Sequence, residues 1–333
     1  MKKNPIPRLV TFSSVLILIL ILLSSCNRNG TQTPSATPIP PTPQSSPTPT
    51  NVPARLVLYD PINAVTADVD ALLADFSSAN ALTYEKTSTL GGNFIGVKVA
   101  VLISGPDNLQ DLAAASPETQ FILIGNPTLE SVSNLSVLET KPGDLAFMAG
   151  FLSAVTAEDW RSGGLLVDDG SSGAVGAFEN GARLMCGQCS PKYPPFIYYP
   201  DVETLAVGSD LTAWTTQVET LLANKVDTIY IDPALDQTDL VTKFELTGAA
   251  IYGGNPVSED QARYTAILSG DILTGLQTLL PQVLAGEGGK TIPLKVVLAV
   301  INDPVKVSPG KQDFFNRVAQ DLFDGWINPL TVN

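Results

Sequence analysis

Histidine is absent from all 333 residues. That absence excludes imidazole acid–base chemistry, histidine-dependent catalytic triads and histidine metal sites. Cysteine is almost absent: Cys26, Cys186 and Cys189 are the only three, too few for a four-ligand zinc centre. Positive charge is scarce as well, with 19 Lys and Arg against 33 Asp and Glu. Nucleic-acid backbones are held by clustered basic side chains, and here Lys and Arg occur singly or as isolated pairs, so no nucleic-acid partner is expected. No cofactor or metal is expected, and no motif supports an enzyme.

A long apolar run is also missing. A membrane-spanning helix needs about 20 consecutive apolar residues, whereas the aliphatic stretch runs only from Val15 to Leu23, with Ser13 and Ser14 before it and Ser24 and Ser25 after it. Lys2, Lys3 and Arg8 precede it, giving the basic then apolar order of an export signal. Leu23-Ser24-Ser25-Cys26 resembles a bacterial lipobox. That resemblance implies that the Cys26 thiol is lipidated and that residues 1–25 are removed. The remaining chain keeps 16 of the 19 basic residues and all 33 acidic ones, a net charge of −17. Multiple acyl chains would hold it stably at the outer face of the cell membrane.

Residues 26–54 form the lipid-bearing cysteine and a linker. Eight prolines, six threonines and no charge fall between residues 31 and 54, a composition that favours extended polyproline II over a packed core. Stretched fully, it would reach roughly 70 Å at about 3.1 Å per residue. A stalk, a plain disordered tail and a glycosylated mucin-like segment fit this composition equally.

From Arg55 onward, short aliphatic runs recur: RLVLY, VKVAVLI, QFILI, GLLV, FIYY, TIYI, AAIY and KVVLAVI. They are continuous rather than alternating, as in strands of parallel sheets covered on both faces. Helical patterns lie between them. Asp210 can cap a helix with Leu211, Trp214, Val218, Leu221 and Leu222 on one side. Ser308-Pro309 opens another, carrying Phe314, Val318 and Leu322, and Gly325 ends it. The stretch KPGDLAFMAGFLSAVTAEDW is apolar nearly all round, predicting a buried helix whose Gly150 permits close packing. Strand and helix in alternation predict an α/β fold.

The stretches PETQFILIGNP and SNLSVLETKPGDLAFMAGFLSAV, then Phe178-Glu179-Asn180-Gly181, then DLFDGWINP from Asp321, resemble in order the basic membrane protein family of solute-binding lipoproteins. This resemblance covers most of residues 97–329. It implies the type I periplasmic-binding-protein fold: two doubly wound parallel-sheet lobes joined by a hinge, with a nucleoside-like small molecule held between them and passed to an ABC permease. The implied division places 55–142 plus 263–292 in one lobe and 143–262 plus 293–333 in the other, in a monomer. Gly253-Gly254-Asn255-Pro256-Val257-Ser258 departs from the family's Gly-x-Asp-x-Asp-Gln, exchanging a carboxylate for an amide. TAILSGD lacks the lysine that usually follows, and an expected aromatic after Asp60 is missing. A surface sensor of the same fold with an eroded ligand site is therefore the alternative function.

Ligands of open α/β sheets lie beyond the carboxyl ends of the strands. That rule selects Asp60, Asn126, Asp168, Asp232 and Asn255 as candidate ligand groups, with Phe178 as a candidate stacking ring. Taken singly, each Asp or Asn suits a turn or cap better than a ligand contact, and Phe178 also suits the core. Cys186-Gly-Gln-Cys189 closes a helix instead of opening one, unlike a thioredoxin motif. A local disulfide is expected outside the cytoplasm, with two free thiols as the alternative. GEGGKT from Gly286 ends like a phosphate loop, but Leu284 stands where the first glycine belongs and the segment follows a helix. It is expected to be a turn between lobes.

Overall fold

The computed structural model describes residues 52–330, apart from 107, 126–128, 168–172, 207–208, 210, 236–237 and 255–260. Two six-stranded sheets form its frame. The first contains β1 (Arg55–Tyr59), β2 (Thr83–Thr87), β3 (Val97–Leu102), β4 (Gln120–Ile124), β5 (Leu135–Glu139) and β11 (Thr291–Pro293), in the order β11-β5-β4-β3-β1-β2 and all parallel. The second contains β6 (Ser162–Val167), β7 (Asp201–Leu205), β8 (Thr228–Ile231), β9 (Ala250–Gly253), β10 (Ala266–Gly270) and β12 (Val296–Val300), in the order β12-β10-β9-β8-β6-β7. Only β12 runs antiparallel to its neighbour in this sheet.

Each sheet is covered on both faces. In the first, α1 (Ala67–Ala79) and α7 (Ile272–Leu284) close one face over Leu58, Val101 and Ile122, while α2 (Leu109–Ala115) closes the other over Phe121 and Leu135. In the second, α3 (Pro142–Thr156), α4 (Ala174–Cys186) and α8 (Pro309–Phe323) cover one face, and α5 (Leu211–Ala223) and α6 (Thr238–Glu245) the other. The two-sided cover explains why the inner strands read as unbroken aliphatic runs.

Helix α3 has the all-round burial that its sequence predicts. It meets α4 with backbone nearly on backbone: a Cβ built on Gly150 would fall on the Phe178 carbonyl, and one on Gly181 would fall on the Phe147 carbonyl. In α5, Trp214, Val218 and Leu221 are buried as their spacing requires. Helix α8 starts after Ser308 with proline at its first positions, and Gly325 follows its end at φ 78°, a conformation that glycine adopts without steric cost.

The two sheets are linked by three crossovers, at Thr140–Lys141, Gly270–Asp271 and Pro293–Leu294. Two backbone hydrogen bonds lace them: Leu294 N–H donates to Glu139 O at 2.7 Å, and Asp271 N–H donates to the Lys295 carbonyl at 2.9 Å. Together the three strands make a ribbon-like hinge between the lobes.

Several expectations are corrected. The second crossover falls after Gly270 instead of at residue 263, because AILSG pairs with β9 and β12 in the second sheet. GEGGKT joins α7 to β11, both in the first lobe, so it is not a turn between lobes. FIYY is not a strand, and β7 begins only at Asp201. Pro194, Pro195 and Pro200 surround that stretch and lack the N–H that a sheet ladder uses. Phe196 and Tyr198 project into solvent, while Asp159 accepts from Lys192 N–H and Tyr193 N–H, and Arg161 donates to the Tyr193 and Pro194 carbonyls. Cys186 and Cys189 are joined at the foot of this loop, their Cα atoms 4.8 Å apart.

Candidate functional site

The carboxyl ends of the parallel strands in each lobe are where this fold places ligands. In the first lobe, Asp60 follows β1 and is buried. Its carboxylate accepts from Ala64 N–H at 2.9 Å and Val65 N–H at 3.2 Å, and Lys86 Nζ lies 3.4 Å away. With no side-chain surface exposed, Asp60 shapes the β1–α1 loop and does not face solvent. Beside it, the half-exposed Lys86 ammonium also donates to Asn63 Oδ1 at 3.2 Å.

In the second lobe, Asp232 follows β8 and is half-buried. Its Oδ1 accepts from Ala234 N–H at 2.9 Å and its Oδ2 from Val167 N–H at 3.3 Å, so one carboxylate ties the ends of β6 and β8 together. Pro233 and Leu145 pack against Gly254 at the end of β9. Asp144 lies in the first turn of α3, next to Leu145.

Phe178 is wholly buried. Its ring stacks on Tyr230, with centroids 5.9 Å apart and planes 21° from parallel, and its edge presses on Gly164. The expectation of a ligand-stacking ring is therefore corrected: the aromatic face is spent inside the core. Asn126, Asp168, Asn255 and Cys26 lie outside the described residues.

Three groups described above escaped sequence reasoning. Lys86 sits on β2, whose sequence TYEKT has no apolar run to mark a strand. Asn63 adopts φ 54° in the β1–α1 loop, a backbone state for which asparagine is enriched, though nothing in the sequence flags it. Asp144 lies in a stretch whose apolar pattern predicts a buried helix and does not mark it out.

Burial pushes the Asp144 carboxyl above its ordinary range, against the downward pull of Lys141. A carboxyl raised in the folded state loses stability on ionising, so its destabilising effect is absent at low pH and develops as pH rises from the unfolded toward the folded pKa. Asp144→Asn is therefore expected to melt higher than wild type at pH 7. The two should converge near pH 4, close to the ordinary carboxyl pKa of about 4. Equal melting temperatures at both pH values would contradict this.

The polar groups described at the strand ends are engaged within their own lobes, Lys86 by Asp60 and Asn63 and Asp232 by the backbone N–H groups of Val167 and Ala234. Among the described residues no group of three or more Asp, Glu or Cys is arranged to hold a metal ion, and no described helix is long and apolar enough to cross a membrane. A surface groove of about 450 Å³ lies at the opposite end of the first sheet, beside the start of β3, lined by Gly92–Lys98 and Ala115–Thr119. Its charged members, Lys98 and Glu118, are exposed, and nothing in it selects a ligand.

No protein-family model matches the sequence, and no curated protein matches it. Solved structures do. The chain is similar to an ABC transporter solute-binding protein from Conexibacter woesei, with TM-score 0.59 and 17% identity, covering 83% of this chain and 98% of that one. It is similar to a transcriptional activator of the comK gene from Bacillus halodurans, with TM-score 0.59 and 12% identity over 84% and 100% of the two chains. A staphylococcal probable maltose operon transcriptional repressor gives TM-score 0.51 and 10% identity over 75% and 98%. The two-lobed α/β fold is thus one shared by solute-binding proteins and regulators.

Proposed function

We propose that the chain is a lipid-anchored, extracytoplasmic solute-binding protein that captures a small polar ligand by closing its two lobes and hands it to an ABC permease. The observation that carries this reading is the three-crossover connection between two parallel-dominated sheets, laced by two backbone hydrogen bonds. Ligand contacts made in both lobes favour the closed form, and the closed form is what a permease distinguishes from the open one. Similarity to the Conexibacter solute-binding protein over nearly all of that protein's length supports it. The motif order shared with the basic membrane protein family supports a nucleoside or purine as ligand, and Leu23-Ser24-Ser25-Cys26 supports the anchor. The structural neighbours named above are binding and regulatory proteins, which supports binding without turnover.

A second reading, a surface sensor without transport, is favoured by Asn255 standing where the family carries a carboxylate. Both readings require specific binding, so one experiment tests them together. Melting temperatures are measured with adenosine, guanosine, inosine, uridine, ribose and glucose. A ligand at 100 times its dissociation constant stabilises the native state by about 2.7 kcal/mol, a shift of several degrees for a body of this size. A saturable shift with a nucleoside supports the proposal, whereas no shift with any of the six removes its basis. Cys26→Ser should abolish incorporation of labelled palmitate, and label that survives would remove the anchor.

A further inference from the structure

Three of the six non-glycine residues with positive φ among the described residues, Asp159 at 50°, Trp160 at 64° and Cys189 at 45°, lie at the foot of one loop, Gly187 to Pro200. Backbone held in this region costs free energy and persists only where its surroundings fix it. That condition is met here. The Asp159 carboxylate accepts from Lys192 N–H at 2.7 Å and Tyr193 N–H at 3.2 Å, and pairs with Arg161 at 3.3 Å. Arg161 donates onward to the Tyr193 carbonyl at 2.7 Å and to the Tyr199 hydroxyl at 3.2 Å, and that hydroxyl donates to the Asn224 carbonyl at 2.5 Å. The Cys186–Cys189 bond closes the entry to the loop. Pro191, Pro194, Pro195 and Pro200 fix φ along it.

What this bracing holds outward is aromatic. Tyr193, Phe196 and Tyr198 are 69%, 73% and 70% exposed, while Tyr199 is buried. Rings this exposed lie on a convex tip, so they cannot enclose a small molecule, which needs a concave site. The loop holds no Asp or Glu and one cation, the exposed Lys192, in a chain with 33 acidic residues. It stands at the amino ends of β6 and β7, where Gly163 pairs with Asp201. Ligands of such a sheet belong at the opposite end.

We propose that this loop is a membrane-contact tip, whose three rings enter the headgroup region of a phospholipid bilayer. Tyrosine suits that boundary because its ring takes the apolar layer and its hydroxyl the wet one. Lys192 can keep its ammonium among lipid phosphates while its stem lies along the apolar layer. Charge points to the same surface: the acidic body is repelled by anionic lipid, and these fourteen residues from 187 to 200, free of negative charge, are a place where it can approach. Shape agrees as well, since a bilayer yields around a convex tip, whereas a folded partner would need a matching hollow. The braces at the foot hold the rings in place beforehand, so little ordering entropy is lost on insertion. The carboxyl ends of the second sheet then face away from the bilayer, open to arriving solute. The proposal depends neither on a ligand nor on lipid at Cys26.

The test uses the chain begun at Asn27, which lacks the lipid-bearing cysteine and keeps all four hydrophobic cores. It is sedimented with vesicles of phosphatidylcholine containing phosphatidylglycerol, and saturable co-sedimentation is expected. Tyr193→Ser, Phe196→Ser and Tyr198→Ser together should weaken that partitioning roughly tenfold or more. The triple variant should melt with wild type, because exposed side chains contribute little to the fold. Wild type that stays in the supernatant overturns the proposal, whether the loop serves a protein, a glycan or neither. Binding that the triple variant retains overturns it equally. With no acyl chain present, either failure leaves the palmitate test of the anchor and the melting test of the ligand untouched.

Discussion

Gly150→Ala is expected to lower the stability of the folded body by about 3 kcal/mol, the upper end of ordinary overpacking costs. The added methyl would fall on the Phe178 carbonyl of α4. A backbone atom fixed in a helix cannot rotate aside as a side chain can, so α3 and α4 would have to separate. Alanine's better helix propensity, worth about 1 kcal/mol over glycine, offsets only part of this. Gly176→Ala, in α4, is the control: nothing lies within 4 Å of its built Cβ, and the same chemical change should be neutral or stabilising there. Gly181→Ala should behave like Gly150→Ala. The double variant should cost less than the sum, because helices already pushed apart by one methyl accommodate the second. Urea unfolding midpoints measure all four, and Gly150→Ala and Gly176→Ala of equal stability would show that the close helix contact is unimportant.

Phe178→Ala should cost about 3–5 kcal/mol, the range for emptying a buried phenylalanine site. The ring is enclosed by Gly164 and the stacked Tyr230, and both are held by β-sheet backbone that cannot collapse into the vacancy. Phe178→Leu, which keeps most of the volume, should cost under about 1.5 kcal/mol and leave the affinity for any ligand found by melting shifts unchanged. A leucine variant of near-native stability that loses affinity tenfold would return Phe178 to the ligand site.

These two residues also show how far the sequence could be read. The α/β class follows from runs such as QFILI and TIYI, because inner parallel strands must be aliphatic on both faces, and from α3, whose absence of a polar side requires burial. What was hidden is where a weak pattern competes with a strong one. TYEKT is a strand because β1 offers it a ladder and not because its side chains need burial. FIYY has the composition of a strand but is flanked by prolines, and its aromatics stay outside. AILSG resembled a displaced ligand motif, which masked its pairing and shifted the crossover by eight residues.

The candidate site was less legible, for a physical reason. Asp at a strand end serves a loop as well as it serves a ligand: Asp60 spends its oxygens on N–H groups of its own turn, and Asp232 on one in its own turn and one at the end of β6. Composition cannot separate these uses, since both ask for a short side chain with two acceptors. Phe178 stands in a helix that looks the same whether its ring points at a cleft or a sheet, and only its contacts with Gly164 and Tyr230 show the direction.

The three crossovers have a consequence for how the protein is made. The core over Leu58, Val101 and Ile122 is closed by Leu276, Leu279, Leu280 and Val283 of α7, and the second lobe needs β12 and α8 from still later in the chain. Neither half can therefore finish while the polypeptide is emerging from a ribosome or a translocation channel. Both are completed within the last stretch to arrive, so early termination near Gly270 leaves two open cores and no half-protein to salvage, the exposed state that favours aggregation.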